Sequence, residues 1–206
     1  MISQLAKLAG LPLLAYLLGS IPWGILITAL FTSTDIRKQG SGNIGATNVR
    51  RIAGTKAGVL VLTGDVLKGS LPVYLALRLL DVADLSGQIY VVLVALAAFF
   101  GHLYPLYLGF KNGGKGVATA LGCVLAVSPP AAGIALLVFL LMSCISNRAS
   151  VGSLSAAAVL PVIMWIATGS HVMTLCALIF SVFVSLRHKD NILRLLTGTE
   201  SVIWKK

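Results

Sequence analysis

The chain has 206 residues, of which 57% are hydrophobic and only 11% are charged, and its formal net charge is +10. A soluble domain of this size needs a larger polar surface, so the composition indicates membrane spans and leaves no room for a second, soluble domain. Lys and Arg are almost absent from the apolar runs and lie between them, which is typical of membrane topology and not of a nucleic-acid groove. We therefore predict a single transmembrane domain over residues 1–206, with membrane lipids as partners and no nucleic acid.

Seven apolar segments predict an all-α integral membrane protein with about seven transmembrane helices, and five or six spans are the alternative. The first segment is longer than the apolar region of a signal peptide and more spans follow it, so we interpret it as a retained helix. A full span needs about 20 residues, and several segments are shorter. The weakest is 117–127, which Ser128-Pro129-Pro130 separates from the next and which could be tilted, re-entrant or short. The segments are roughly 8–31, 57–80, 88–108, 117–127, 131–146, 151–168 and 171–186.

The distribution of charge tests this segmentation. If all seven segments cross, the stretches 32–56, 109–116, 147–150 and 187–206 share one side and hold 13 of the 16 Lys and Arg residues. The short loops on the opposite side carry none. The positive-inside rule then places the N-terminus outside and the C-terminus in the cytoplasm.

The first glycine-rich loop, residues 40–51, combines three glycines with neutral donors and two arginines. Glycines let backbone N–H groups converge on an anion, and an arginine adds a planar cationic fork. A plain polar loop with a helix cap is the alternative. The predicted phosphate-binding residues here are Ser41, Gly42, Asn43, Gly45, Thr47, Asn48 and Arg51.

A second glycine-rich loop, residues 109–116, opens an apolar helix, so that N–H groups and the positive end of the helix dipole face an incoming anion. It nearly matches a Walker A motif, but Gly116 occupies the position of the Mg²⁺-binding hydroxyl, and a membrane helix precedes the loop where a strand is required. We therefore exclude a P-loop nucleotide hydrolase and retain phosphate binding. The predicted residues are Lys111, Gly113, Gly114, Lys115 and Gly116.

A third basic stretch, residues 187–194, follows the last span. One interpretation of this stretch is a basic flank that only stops translocation of the chain across the membrane. Such a flank has no use for His188 and Asn191, whose side chains hydrogen-bond to hydroxyls or phosphates, so we include both in the predicted site.

Ionisable and polar residues within or beside the spans complete the predicted site. Asp65 and Lys68 lie at i and i+3 on one helix face, where they form a structural pair or line the site. His102 and Ser150 are predicted near the cytoplasmic face. No set of side chains has the spacing of metal ligands, and we predict neither a metal nor a cofactor.

These motifs resemble the bacterial PlsY family of acylphosphate:glycerol-3-phosphate acyltransferases. The resemblance covers almost the whole chain. Asn112 stands where a glycine is common in the family, and Asn tolerates the backbone conformations that glycine would adopt. The resemblance rests on six blocks in the family's order: Ser41–Arg51, Gly64–Gly69, Gly101–His102, Phe110–Thr119, Ser150–Gly152 and Arg187–Ile192.

The resemblance implies seven spans in the bacterial plasma (inner) membrane, with the active site facing the cytoplasm. It also implies transfer of a fatty acyl group from acyl phosphate to the sn-1 hydroxyl of glycerol 3-phosphate, which gives lysophosphatidic acid and phosphate as the first step of phospholipid synthesis. A membrane transporter of phosphorylated metabolites is the alternative class, although a transporter needs polar groups near mid-membrane.

Carried over to this sequence, the resemblance implies site residues at Ser41, Asn43, Thr47, Arg51, Lys115, His188 and Asn191. We assign residues 41–47 of the first glycine-rich loop and Lys115 to the phosphate of the acyl donor. Arg51, His188 and Asn191 would hold glycerol 3-phosphate. A phosphate of the bound substrate would take the hydroxyl proton, and His188 or His102 as general base is the rival hypothesis. No His-x-x-x-x-Asp pair occurs, which argues against the acyltransferases that use one.

Overall fold

A computed structural model describes residues 2–79 and 82–204. Within these ranges every element of regular secondary structure is a helix, which confirms the all-α prediction. Contacts divide the chain into two compact units, residues 1–127 and 128–206. The first unit contains α1 (Ile2–Gly19), α2 (Trp23–Phe31), α3 (Ala46–Leu79), α4 (Leu85–Leu103) and α5 (Val117–Val127), and the second contains α6 (Pro129–Ser146), α7 (Ala149–Thr168), α8 (His171–Arg187) and α9 (Lys189–Leu196).

Five helical stretches in the described ranges are long and apolar enough to cross a membrane, and α8 with α9, bent by 58°, makes a sixth if the pair is one span. Large apolar side chains on them face outward: Ile145 is 78% exposed and Ile166 is 79% exposed. The predicted segment 117–127 forms a helix of 11 residues. The prediction of seven spans therefore stays a prediction. The five stretches are Gly10–Phe31, Ala46–Leu79, Leu85–Leu108, Pro129–Ser146 and Ala149–Thr168.

Close helix packing in the first unit depends on small residues. α3 and α5 approach so closely that a Cβ on Gly69 would collide with the carbonyl of Thr119, and one on Gly122 with the carbonyl of Val66. The thiol of Cys123 also lies 3.6 Å from the Gly69 carbonyl oxygen. Membrane helices associate through such contacts between small residues. The packing fixes α5, and with it the glycine-rich loop that precedes α5, against α3.

Gly54 reverses the direction of α3 near its beginning. Its φ of 88° and ψ of 172° are not helical, and this region of backbone space is essentially restricted to glycine. A Cβ on Gly58 would lie 2.7 Å from the Cβ of Arg50 and 3.2 Å from the carbonyl oxygen of Ala46. In a straight helix, residues 12 apart are about 18 Å apart. Residues 46–53 are therefore folded back against the start of the longer part of α3, residues 55–79.

Replacement of Gly54 by alanine is expected to destabilise the first unit by about 1–3 kcal/mol, because alanine must adopt a backbone conformation that only glycine tolerates. No neighbour lies within 4 Å of the new Cβ, so the cost comes from the backbone alone. Gly133→Ala is the matched control, because Gly133 is helical and equally open. Thermal unfolding in detergent measures both, and equal midpoints for the two variants would contradict the reversal.

The second unit begins at the break that Ser128-Pro129-Pro130 predicts. α5 ends at Val127 and α6 starts at Pro129, where the Ser128 hydroxyl accepts a hydrogen bond from the Ala131 N–H at 3.4 Å. α6 packs on α7 and α7 on α8. A Cβ on Gly152 would collide with the Ser143 side chain and the Phe139 carbonyl, so α6 and α7 are in close contact near the start of α7.

Candidate functional site

Asn48 organises the first glycine-rich loop from its centre. This buried side chain donates hydrogen bonds to the carbonyl oxygens of Gln39, at 3.1 Å, and Asn43, at 2.9 Å. Its Oδ1 accepts from the Ser41 N–H at 3.0 Å. Both amide hydrogens of Asn48 are thus used to close the loop, and the predicted role of Asn48 as a phosphate donor is replaced by a structural one.

The backbone of this loop is also largely engaged. Besides the Ser41 N–H, the Gly42 N–H donates to the Gln39 carbonyl at 3.0 Å, and the Gly45 N–H donates to Asn43 Oδ1 at 2.8 Å. The expectation that the glycines leave these N–H groups open to an anion is wrong for these three, because the loop uses them to hold its own shape. Gly40 and Gly42 instead serve as left-handed positions, with φ of 60° and 68°.

Side chains and the start of α3 remain as the candidate anion-binding groups of the first loop. Ser41, Thr47 and Arg51 are exposed at this end of the first unit. α3 begins at Ala46, and the first N–H groups of a helix have no acceptor within it. Hydroxyls, a guanidinium and a helix N-terminus are groups that bind phosphate.

The second loop adopts the conformation that its glycines suggest. Gly116 has φ of 86°, and Asn112 has φ of 55°, the left-handed region that glycine favours, which supports the interpretation of Asn112 as a glycine substitute. Phe110 also has a positive φ, of 62°, which nothing in the sequence indicated. Lys115 is half-buried two residues before α5 begins, and Lys111 is exposed. A cation and a helix N-terminus therefore coincide at Lys115.

Asp65, Lys68 and His102 meet in the interior of the first unit. Lys68 Nζ lies 2.8 Å from Asp65 Oδ1 and donates to the Ile21 carbonyl at 3.0 Å. His102 Nδ1 lies 3.5 Å from the same Asp65 oxygen. Of the two interpretations of Asp65 and Lys68, the structure supports the ion pair, and the prediction that Lys68 contacts phosphate is not supported because its ammonium is buried on other partners.

In the second unit, Ser150 and Asn191 both contact Glu200, a residue that the sequence analysis did not include. Glu200 Oε1 accepts hydrogen bonds from the Ser150 hydroxyl at 2.7 Å and from Asn191 Nδ2 at 2.6 Å, and Glu200 Oε2 accepts from Arg194 Nε at 2.7 Å. The only signal in the sequence is that Glu200 is one of two acidic residues in a mainly basic tail, the other being Asp190. Glu200 thereby sets the orientation of two predicted site residues.

Charge and burial compete at Glu200. Burial raises the pKa of this carboxyl, but the hydrogen bonds from Asn191, Ser150 and Arg194, together with the charge of Arg194, outweigh burial and hold the pKa below its usual range. Glu200 is therefore ionised at neutral pH and neutralises part of the basic tail.

His188 joins α8 to α9 at the bend. Its imidazole is buried, and Nδ1 lies 2.8 Å from the Val184 carbonyl oxygen. A carbonyl only accepts, so Nδ1 carries the hydrogen and Nε2 of the neutral ring is an acceptor. This tautomer suits contact with a hydroxyl hydrogen. His188 thus has the chemistry of a glycerol-hydroxyl ligand or of a base.

Metal ligands do not assemble in the described part of the chain: no group of three or more His, Cys, Asp or Glu residues there could hold an ion.

Comparison with known proteins places these features in one family. Residues 9–198 match the Glycerol-3-phosphate acyltransferase family. The glycerol-3-phosphate acyltransferase of Syntrophotalea carbinolica is 49% identical over 189 residues, which cover 92% of this chain and 94% of that protein. That of Myxococcus xanthus is 46% identical and covers 93% of this chain and 97% of its own length.

Solved structures that are similar in fold come from the same family. A crystal structure of PlsY (YgiH), an integral membrane glycerol 3-phosphate acyltransferase in its glycerol 3-phosphate form, is 40% identical, covers 95% of both chains and superposes with a TM-score of 0.89. Its lysophosphatidic acid form superposes with a TM-score of 0.87. These similarities define the class, an integral membrane enzyme that transfers acyl groups. The chain belongs to the glycerol-3-phosphate acyltransferase family, the PlsY family that its motifs resemble.

Proposed function

We propose that this enzyme transfers a fatty acyl group from acyl phosphate to the sn-1 hydroxyl of glycerol 3-phosphate. The glycerol oxygen attacks the acyl carbon, the bond from that carbon to the phosphate oxygen breaks, and lysophosphatidic acid and inorganic phosphate leave. The observation that carries the proposal is the coincidence of Lys115, a glycine-rich loop and the N-terminus of α5, because this combination stabilises a departing phosphate.

The division of the substrates follows the chemistry of the candidate site residues. Ser41, Thr47 and Lys115 offer donors and a cation for the phosphate of the acyl donor. Arg51, His188 and Asn191 offer a cation and hydrogen-bonding groups for glycerol 3-phosphate. The PlsY relative in a glycerol 3-phosphate form and a lysophosphatidic acid form supports the acceptor and the product. The transporter alternative has no comparable support.

The proton of the glycerol hydroxyl needs an acceptor as the new ester forms. We assign it to a phosphate oxygen of the bound substrates, because acyl phosphate is already activated and the site has mainly to orient two anions. His188, whose Nε2 is an acceptor in the tautomer described above, is the rival. A loss of kcat with unchanged KM in His188→Gln would favour the histidine.

The assay that tests the proposal supplies the purified protein with palmitoyl phosphate and glycerol 3-phosphate and follows phosphate release and lysophosphatidic acid formation. Release should require both substrates, and the acyl group should be found at the sn-1 position by NMR. Palmitoyl-CoA is the comparison donor. Product from palmitoyl-CoA with none from palmitoyl phosphate would overturn the proposed donor.

We propose a single domain of seven spans in the bacterial inner membrane, with the basic loops in the cytoplasm. On a cysteine-free background, Lys38→Cys in a basic loop and Asp84→Cys in a loop without cations provide the test. An impermeant thiol reagent added to intact spheroplasts should label the cysteine at position 84 and spare the one at position 38. Labelling at position 38 and not at position 84 would show that the chain has the opposite orientation.

A further inference from the structure

Asp65, Lys68 and His102 form a buried cluster that the proposed reaction does not use directly. The exposed fractions of the three residues are 3%, 5% and 4%. All three belong to α3 or α4, within helices long and apolar enough to span a membrane. Ionisable side chains at such positions are costly and usually serve a purpose beyond packing. An ion pair alone would explain two of them but not the histidine.

The histidine connects the cluster to the second glycine-rich loop. The Gly114 N–H donates to the His102 carbonyl oxygen at 3.1 Å. The His102 ring occupies the space that a Cβ on Gly114 would need, and a Cβ on Gly113 would collide with the carbonyls of Leu103 and His102. Two consecutive loop residues therefore rest on His102, and Lys115 follows directly.

The two edges of the imidazole face different partners. Nδ1 lies 3.5 Å from Asp65 Oδ1, within ion-pair distance but without a hydrogen bond, and the Nε2 edge lies against the backbone of Gly114. The carboxylate in turn is held by Lys68, whose ammonium also binds the Ile21 carbonyl. A general base has to come within about 3.2 Å of the proton that it removes. A ring enclosed between Asp65 and Gly114 does not offer that access.

We propose that the Asp65–Lys68–His102 cluster positions the second glycine-rich loop, and thereby directs Lys115 and the first N–H groups of α5 at the phosphate of the acyl donor. This inference rests on the proposed function. His102 is then a positioning residue and not the base. Asp65 contacts one edge of the ring, the ring and carbonyl of His102 support Gly113 and Gly114, and these two glycines determine where Lys115 lies.

The sharpest test removes both charges together. Asp65→Asn combined with Lys68→Met keeps the net charge and approximate volume, so that no unpaired charge is left buried. In palmitoyl phosphate and glycerol 3-phosphate assays, kcat should fall about 100-fold, because small misplacements of catalytic groups have effects of that size. KM for palmitoyl phosphate should rise and KM for glycerol 3-phosphate should stay constant. Activity equal to wild type, or an equal rise in both KM values, would overturn the proposal.

A second variant makes the test independent of whether the double variant folds. His102→Gln should lower kcat and raise KM for palmitoyl phosphate while the shape of the pH–rate profile stays that of the wild type. His171→Gln, a histidine at the start of α8, is the matched control and should match the wild type. Loss of a limb of the pH–rate profile in His102→Gln would show a base, and unchanged kinetics would show no role. Either outcome overturns the proposal.

Failure of this inference can be told apart from failure of the proposed function. If the wild-type protein releases no phosphate from palmitoyl phosphate, the proposed donor is wrong. If the wild type is active and both variants match it in kcat and in both KM values, only the positioning role is lost.

Discussion

Replacement of Lys115 by methionine is expected to lower kcat/KM for palmitoyl phosphate about 10³-fold, because one lost donor at a developing charge costs about two to three orders of magnitude in rate. Lys115 lies beside the N-terminus of α5, where its ammonium and the helix dipole would act on the same bound phosphate. Methionine is an unbranched side chain of nearly the same length that lacks the charge and the N–H donors of lysine. Rates of phosphate release at varied donor concentration measure the effect.

The control for Lys115→Met is Lys56→Met, which removes an exposed lysine outside the predicted site. Its kinetics should match the wild type within about twofold, since an isolated surface charge contributes little. Lys115→Arg keeps the charge and should retain more activity than methionine at this position. If Lys115→Met were as active as Lys56→Met, Lys115 would have no part in the reaction.

Replacement of Glu200 by alanine is expected to destabilise the second unit by about 2–4 kcal/mol, because each buried donor left without this acceptor, on Ser150 and on Asn191, costs about 1–3 kcal/mol. The carboxylate accepts hydrogen bonds from Ser150, Asn191 and Arg194, and all three would lose their acceptor. Glycerol 3-phosphate binding should weaken as well, because Asn191 loses its fixed orientation. Thermal unfolding in detergent and KM for glycerol 3-phosphate measure the two effects.

The pH dependence provides a second readout for Glu200. Because the folded state lowers the pKa of this carboxyl, its contribution to stability is present above the ordinary value of 4.5 and is lost as pH falls through the lower folded-state pKa. Glu200→Gln should remove that acid-induced loss. Asp190→Asn, at an exposed carboxylate in the first turn of α9, is the control and should change stability by less than about 1 kcal/mol. Identical acid sensitivity of Glu200→Gln and wild type would contradict the network.

The sequence analysis succeeded where local chemistry determines structure. Long apolar runs must form helices in a membrane, because backbone groups have no other partners there. Ser128-Pro129-Pro130 ends one helix and starts the next for reasons contained in three residues. The left-handed backbone at Asn112 follows from the steric tolerance of that residue.

The features that the sequence analysis missed depend on contacts between residues that are separated along the chain. Asn48 was interpreted as a phosphate donor because its side-chain amide has two N–H groups. Both of them donate instead to carbonyl oxygens of the first loop, one of which lies nine residues away in Gln39. Glu200 is 50 residues from Ser150 and shares no motif with it. The reversal at Gly54 was not predicted either, because Gly54 falls in the basic stretch 32–56 and the apolar segment begins only at residue 57, whereas α3 begins at Ala46.

The brevity of α5 affects how a lipid substrate can reach Lys115. A helix of 11 residues is about 16 Å long, roughly half the thickness of the hydrocarbon layer. At most one end of α5 can lie at the level of the lipid headgroups unless the bilayer is thinner beside the helix. A fatty acyl phosphate that diffuses sideways in one leaflet could then meet the ammonium near its own depth, without leaving the lipid for water. Donor delivery would become a two-dimensional search, and its rate should follow the surface density of the donor in vesicles and not its bulk concentration.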